Sequence, residues 1–137
     1  MTEAGQPRLP KVLGIVALGG IVGSLARYGL AEAIPHAAGT FPWATFVTNV
    51  AGCLAIGILF ARLTPQSHPL LRPFLGTGIL GGFTTFSTYA VDTEKLLHAQ
   101  MHAHLVIAFA YYFGTVAAAL LAATLGEYLG RVWGRRR

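Results

Sequence analysis

Four long apolar runs decide what this chain can fold into. They cover about 12–30, 43–63, 70–97 and 105–129. Each is long enough for the ~20 residues an α-helix needs to cross a bilayer. Only 11% of the 137 residues are charged and 54% are hydrophobic, against roughly a quarter charged in a soluble domain. The pattern predicts an all-α integral membrane protein of four transmembrane helices, with no stretch left for a soluble domain. Its expected limits are a polar leader over 1–11, a four-helix transmembrane region over 12–130 and a basic tail over 131–137. No small-residue cleavage site follows the first run and Arg27 interrupts its end, so an uncleaved first helix is expected rather than a signal peptide.

The formal net charge is +5, yet the basic residues sit at the ends of apolar runs and are not interleaved with aromatics. That placement suits anionic lipid headgroups and topology control rather than nucleic acid. On the side of the termini lie Arg8, Lys11, Arg62, Arg72, Arg131, Arg135, Arg136 and Arg137; on the other are only Arg27 and Lys95. The positive-inside rule then predicts cytoplasmic termini. Cys53 is the single cysteine, so no intrachain disulfide can form. Its mid-run position reads as a small thiol packed between helices.

The third run contains a stretch unsuited to lipid: Gly81, Gly82, Phe83, Thr84, Thr85, Phe86, Ser87, Thr88 and Tyr89. Polar or non-helical backbone at membrane depth persists only where protein buries it or an aqueous path passes it. A broken third helix beside an ion path is expected. Thr45 and Asn49 are four apart and share one helix face. With Thr48, Thr84, Thr85, Ser87, Thr88, Tyr111 and Thr115 they supply neutral hydrogen-bond donors at midspan. Such donors replace the hydration of a small anion, and the ring edges of Phe86 and Tyr89 are electropositive. Arg27 near one mouth would attract anions. A broken helix also frees carbonyls, here those of Gly81 and Thr84, for a cation held either structurally or along a path.

No catalytic Ser/His/Asp set lies at membrane depth, so an enzyme is not expected. His98, Met101, His102 and His104 fall in the loop before the fourth run. His98 and His102 have i,i+4 spacing, but a solvated loop is the expectation. Asp92, Glu94 and Lys95 mark the far end of the third run, which is expected to emerge into water there; with Glu32 also near a run end, no midspan carboxylate is left for proton coupling.

Three blocks together resemble the CrcB/Fluc fluoride channels: Gly20-Ile21-Val22-Gly23-Ser24-Leu25-Ala26-Arg27-Tyr28, Thr45-Phe46-Val47-Thr48-Asn49-Val50-Ala51-Gly52, and the Gly81–Tyr89 stretch. The resemblance covers nearly the whole chain. It implies an antiparallel dimer of four-helix subunits in the bacterial inner membrane, with two fluoride pores and a structural sodium ion at the dimer centre. The sodium would be held by backbone carbonyls at Gly81 and Thr84. Asn49 would donate to the anion, and Phe86 and Tyr89 would form the aromatic pair contacting fluoride. Ser87, Thr88, Tyr111 and Thr115 would line the pore, and Arg27 the vestibule. No organic cofactor is implied. Two positions depart from the family pattern: Tyr89 stands where Phe is usual and Asp92 where Glu is usual. The uneven Lys/Arg distribution favours one orientation, so an antiparallel heterodimer with a paralogue stands beside the dual-topology homodimer.

Two rivals differ in class. A small dual-topology drug/proton exporter would need an acid in the first helix, and Glu32 is the sole candidate. A non-transporting assembly subunit would use its Ser, Thr and Asn residues as interhelical glue, worth about 0.6 kcal/mol each.

Overall fold

The computed structural model describes residues 7–99 and 102–134. Residues 1–6, Gln100, Met101 and Arg135–Arg137 lie outside the described residues, as do the side chains of His102 and Ala103.

All the regular structure among the described residues is helical. Helix α1 is Leu9–Ala33, with Pro10 in its first turn, where a missing N–H costs nothing. Helix α2 is Trp43–Arg62 and follows Pro42. Helix α3 joins a π-wound stretch, Arg72–Leu80, to one α-helical turn, Gly81–Phe83. Helix α4 is Phe86–His98 and α5 is His102–Gly134. Among the described residues, three helical spans are long and apolar enough to cross a membrane: Leu9–Ala33, Trp43–Arg62 and His104–Gly134. The third apolar run is divided between α3 and α4. Helix α5 passes position 130 without interruption, and α4 includes His98 rather than leaving it in a loop.

The expected break falls at Thr84 and Thr85, whose backbones are extended (ψ 156° and 123°). The sequence explains its position. Gly81 and Gly82 weaken the helix before it. Thr85 then restarts the chain as an N-cap, its Oγ1 accepting the N–H of Thr88 at 3.1 Å.

The helices pack chiefly as two pairs, α1 with α3 and α2 with α5, while α4 lies on α5. Close backbone approach holds the first pair. A Cβ on Gly19 would lie 2.6 Å from the Phe74 carbonyl oxygen, and one on Gly82 would lie 2.6 Å from that of Gly20. The Gly19–Gly23 spacing is therefore a packing seam, and both residues are buried. In the second pair, a Cβ on Gly130 would lie 2.9 Å from the Ile58 carbonyl oxygen. Tyr89, Leu96, Ala108 and Tyr111 form a small core between α4 and α5.

One expectation needs correcting. Asp92 does not emerge into water with its neighbours. Glu94 and Lys95 are exposed, but Asp92 is buried on the α4 face shared by Tyr89, Thr93 and Leu96.

Candidate functional site

The site is built around the break. Asn49 on α2 faces it and grips Thr85 twice. Its Nδ2 donates to the Thr85 carbonyl at 3.0 Å, and its Oδ1 accepts the Thr85 N–H at 2.9 Å. The first turn of α4 offers the Thr85 N–H no partner, and Asn49 supplies one. Thr84 turns back: its N–H and its hydroxyl both donate to the Leu80 carbonyl, at 2.9 and 3.0 Å. Gly52 leaves room for the Thr84 methyl group.

Two cavities flank Thr85. The first, about 240 Å3, is lined by Asn49, Thr84, Thr85, Phe86, Tyr89 and Thr115, together with Cys53 and Val116. An amide nitrogen carries two donors. Asn49 uses one on Thr85, which leaves the other for this cavity. Thr115 is buried, and its Oγ1 has no hydrogen-bond partner among the described residues. No carboxylate lines the cavity. The second cavity, about 270 Å3, is lined by Ser24, Arg27, Thr45, Thr48, Thr85 and Thr88, with Tyr28, Ala31 and Ala44 completing it. Arg27 is half-buried there and forms no ion pair among the described residues. Thr85 thus separates a cavity of neutral donors from one bearing a cation.

The two aromatics behave differently. Phe86 is 81% exposed, its ring centroid 5.8 Å from that of Tyr89. Ser87 and Thr88 are exposed beside it. Tyr89 is buried and stacks on Tyr112 at 5.6 Å. Its hydroxyl donates to the Tyr112 carbonyl at 2.7 Å. The oxygen that distinguishes this position from Phe therefore ties α4 to α5.

Tyr111 lies behind Tyr89, fully buried, edge-on to Phe41 with centroids 5.3 Å apart. It does not line either cavity beside the break. Its hydroxyl sits near Asp92 and Thr45 without a hydrogen bond among the described residues. Sequence reasoning missed the contact next to it: Thr45 Oγ1 donates to Asp92 Oδ2 at 2.7 Å, joining α2 to α4. The signal was the periodicity of Thr85, Tyr89, Asp92 and Leu96, which puts Asp92 on the inner face of α4.

The break also suits a hard cation. No backbone N–H reaches the Gly81 or Thr84 carbonyl across the interruption. Gly81 is exposed and Thr84 half-buried. Neutral oxygen donors fit sodium, and among the described residues no three His, Cys, Asp or Glu side chains cluster to favour a transition metal.

Apolar helices enclosing a hydroxyl-lined cavity beside a broken helix define the class: a helical membrane transport protein. Residues 14–127 match the family described as CrcB-like protein, Camphor Resistance (CrcB), and the chain belongs to that family. It is 47% identical over 127 residues to the "Fluoride-specific ion channel FluC 2" of Nocardia farcinica, covering 91% of this chain and 89% of the relative. It is 46% identical over 132 residues to the "Fluoride-specific ion channel FluC 1" of Streptomyces coelicolor, covering 95% and 84%. The "Fluoride-specific ion channel FluC" of Flavobacterium psychrophilum is 42% identical over 124 residues, covering 88% and 98%.

Proposed function

We propose that this chain is a passive, fluoride-specific ion channel that lets cytoplasmic fluoride leave the cell; it is not an enzyme. The observation that carries this reading is its family membership, with relatives named fluoride-specific ion channels matching at 46–47% identity over nearly the whole chain. The cavity beside the break supports it chemically. Fluoride loses strong hydration on entering a membrane and needs dense, neutral donation in return. The free Asn49 N–H and the unpartnered Thr115 hydroxyl offer it, with the edges of Phe86 and Tyr89 beside them.

In this reading α3 and α4 together make the third of four spans in the bacterial inner membrane. Two subunits associate antiparallel, as a homodimer or with a paralogue, and bring their exposed breaks together. A sodium ion there is held by the Gly81 and Thr84 carbonyls of each subunit and supplies fixed positive charge at the dimer centre. Phe86, Ser87 and Thr88, exposed on the single subunit, become the pore-facing side of α4. Arg27 raises the local anion concentration at one mouth. Fluoride enters a cell as neutral HF, dissociates inside, and the membrane potential drives the anion out. No coupling acid is required.

Efflux from liposomes, read with a fluoride electrode and repeated with chloride, tests the function. Fluoride efflux with little chloride efflux is expected. Equal rates for the two anions, or none for either from a folded protein, would reject it.

A further inference from the structure

A third cavity, about 490 Å3, lies away from the break between the α1–α2 loop, α4 and α5. His36 enters it from the loop, Asp92, Glu94, Lys95 and His98 from α4, and His104 from α5. Pro42, just before helix α2, forms part of the cavity wall, and Thr45 of α2 lies behind Asp92; neither carries a charge. Gly39, at φ +80°, lets the loop pass over His104; a Cβ there would lie 2.9 Å from the imidazole Nε2. The His104 Nδ1 is buried without a hydrogen-bond partner among the described residues. His98 meets Glu94 at 3.1 Å on the exposed rim.

Among the described residues lining the cavity, two carboxylates outweigh one ammonium while the imidazoles are neutral, which leaves a single net negative charge. Imidazole is the side chain that ordinarily titrates between about pH 5 and 8. Three imidazolium groups would make the cavity net positive by two. Protonation also turns both ring nitrogens into donors. The buried His104 Nδ1 would then be an unpaired donor in a positive cavity, a costly arrangement unless an acceptor enters. The described residues do not group as metal ligands, which favours an anion over a metal as that occupant.

We propose that this histidine-lined cavity takes up a small inorganic anion, fluoride among them, when its imidazoles carry protons. Through Asp92 and Thr45 the cavity adjoins the one that holds Arg27, so a captured anion lies next to the proposed path. Its use as an acid-activated antechamber rests on the channel reading; the anion site itself does not.

The test follows the imidazole proton signals of the intact protein in detergent by NMR, from about pH 8 to about pH 5, in sodium fluoride and in sodium gluconate of equal ionic strength. Because coupling is reciprocal, an anion that prefers the protonated cavity raises the histidine midpoints, by roughly half a pH unit for a threefold preference. His36 and His104 should shift upward in fluoride. His68, in the α2–α3 loop and outside the cavity, serves as the internal control. Replacing His36 by Gln should reduce the shift at His104. Identical midpoints in the two salts, or an equal shift at His68, would overturn the site. Fluoride currents in planar bilayers separate the two proposals. No current at any pH, with the midpoint shift intact, would reject the channel and retain the anion site.

Discussion

Asn49 and Thr85, 36 positions apart, hold each other by two opposed hydrogen bonds between α2 and the helix break. The asparagine therefore has two roles. One amide N–H and the carbonyl oxygen hold Thr85 at the break, and the residue also lines the cavity beside it. Asn49→Ala leaves the Thr85 N–H without its partner, at about 1–3 kcal/mol for a buried group. Thermal unfolding in detergent should show a loss of about 2 kcal/mol. Fluoride efflux should fall at least about tenfold, equivalent to 1.4 kcal/mol. Asn49→Asp keeps an acceptor for the Thr85 N–H but adds negative charge to the cavity. It should recover part of the stability and none of the efflux. Wild-type efflux in both variants would remove Asn49 from the path.

Tyr89→Phe separates ring from hydroxyl. The ring lines the cavity, while the hydroxyl is committed to the Tyr112 carbonyl. Losing one such bond should lower stability by about 1 kcal/mol. Efflux should stay within about threefold of wild type, a barrier change under 1 kcal/mol. A tenfold or greater change in rate would mean that the hydroxyl itself meets the anion.

How much of this was legible in the sequence depended on the range of the interaction. The interruption near Gly81–Tyr89 is a local pattern, and the structure contains it, while among the described residues three of the four apolar runs are single helices long and apolar enough to cross a membrane and the third run is divided. The Thr45–Asp92 contact spans 47 positions, so proximity of Asp92 to polar residues suggested water instead of burial. The direction of the Tyr89 hydroxyl depends on Tyr112, which a different helix supplies. The π winding of Arg72–Leu80 has no period that distinguishes it from an ordinary helix in so short a stretch. Phe86, Ser87 and Thr88 are exposed on the single subunit, and what would cover them in the proposed dimer is not a local pattern.

Two glycines of one chain should respond oppositely to alanine. A Cβ on Gly82 would meet the Gly20 carbonyl oxygen at 2.6 Å and its Cα at 3.0 Å, both backbone atoms that cannot rotate aside. Gly82→Ala must push α1 and α3 apart, and overpacking of this kind costs about 1–3 kcal/mol. Gly14, on helix α1, has nothing within 4 Å of the corresponding point. Gly14→Ala gains helix propensity, up to about 1 kcal/mol. Melting curves of the two proteins should therefore move in opposite directions. A Gly82→Ala protein as stable as wild type would show that the α1–α3 seam is looser than these distances imply.

Ion replacement tests the cation at the break without altering the chain. The proposed ligands are the backbone oxygens of Gly81 and Thr84, which accept no backbone hydrogen bond across the interruption. A ligand that binds only the folded state stabilises it by RT ln(1 + [L]/Kd), about 2.7 kcal/mol at a hundred times Kd. Exchanging sodium for N-methylglucammonium at equal ionic strength should lower the Tm and shift the detergent-solubilised protein from dimer toward monomer. Thr84→Ala removes the hydroxyl bonded to Leu80 but keeps the carbonyl. It should start less stable than wild type and still respond to sodium. The same Tm in both salts would reject the cation site, and a response abolished by Thr84→Ala would transfer the ligand role from the backbone to the side chain.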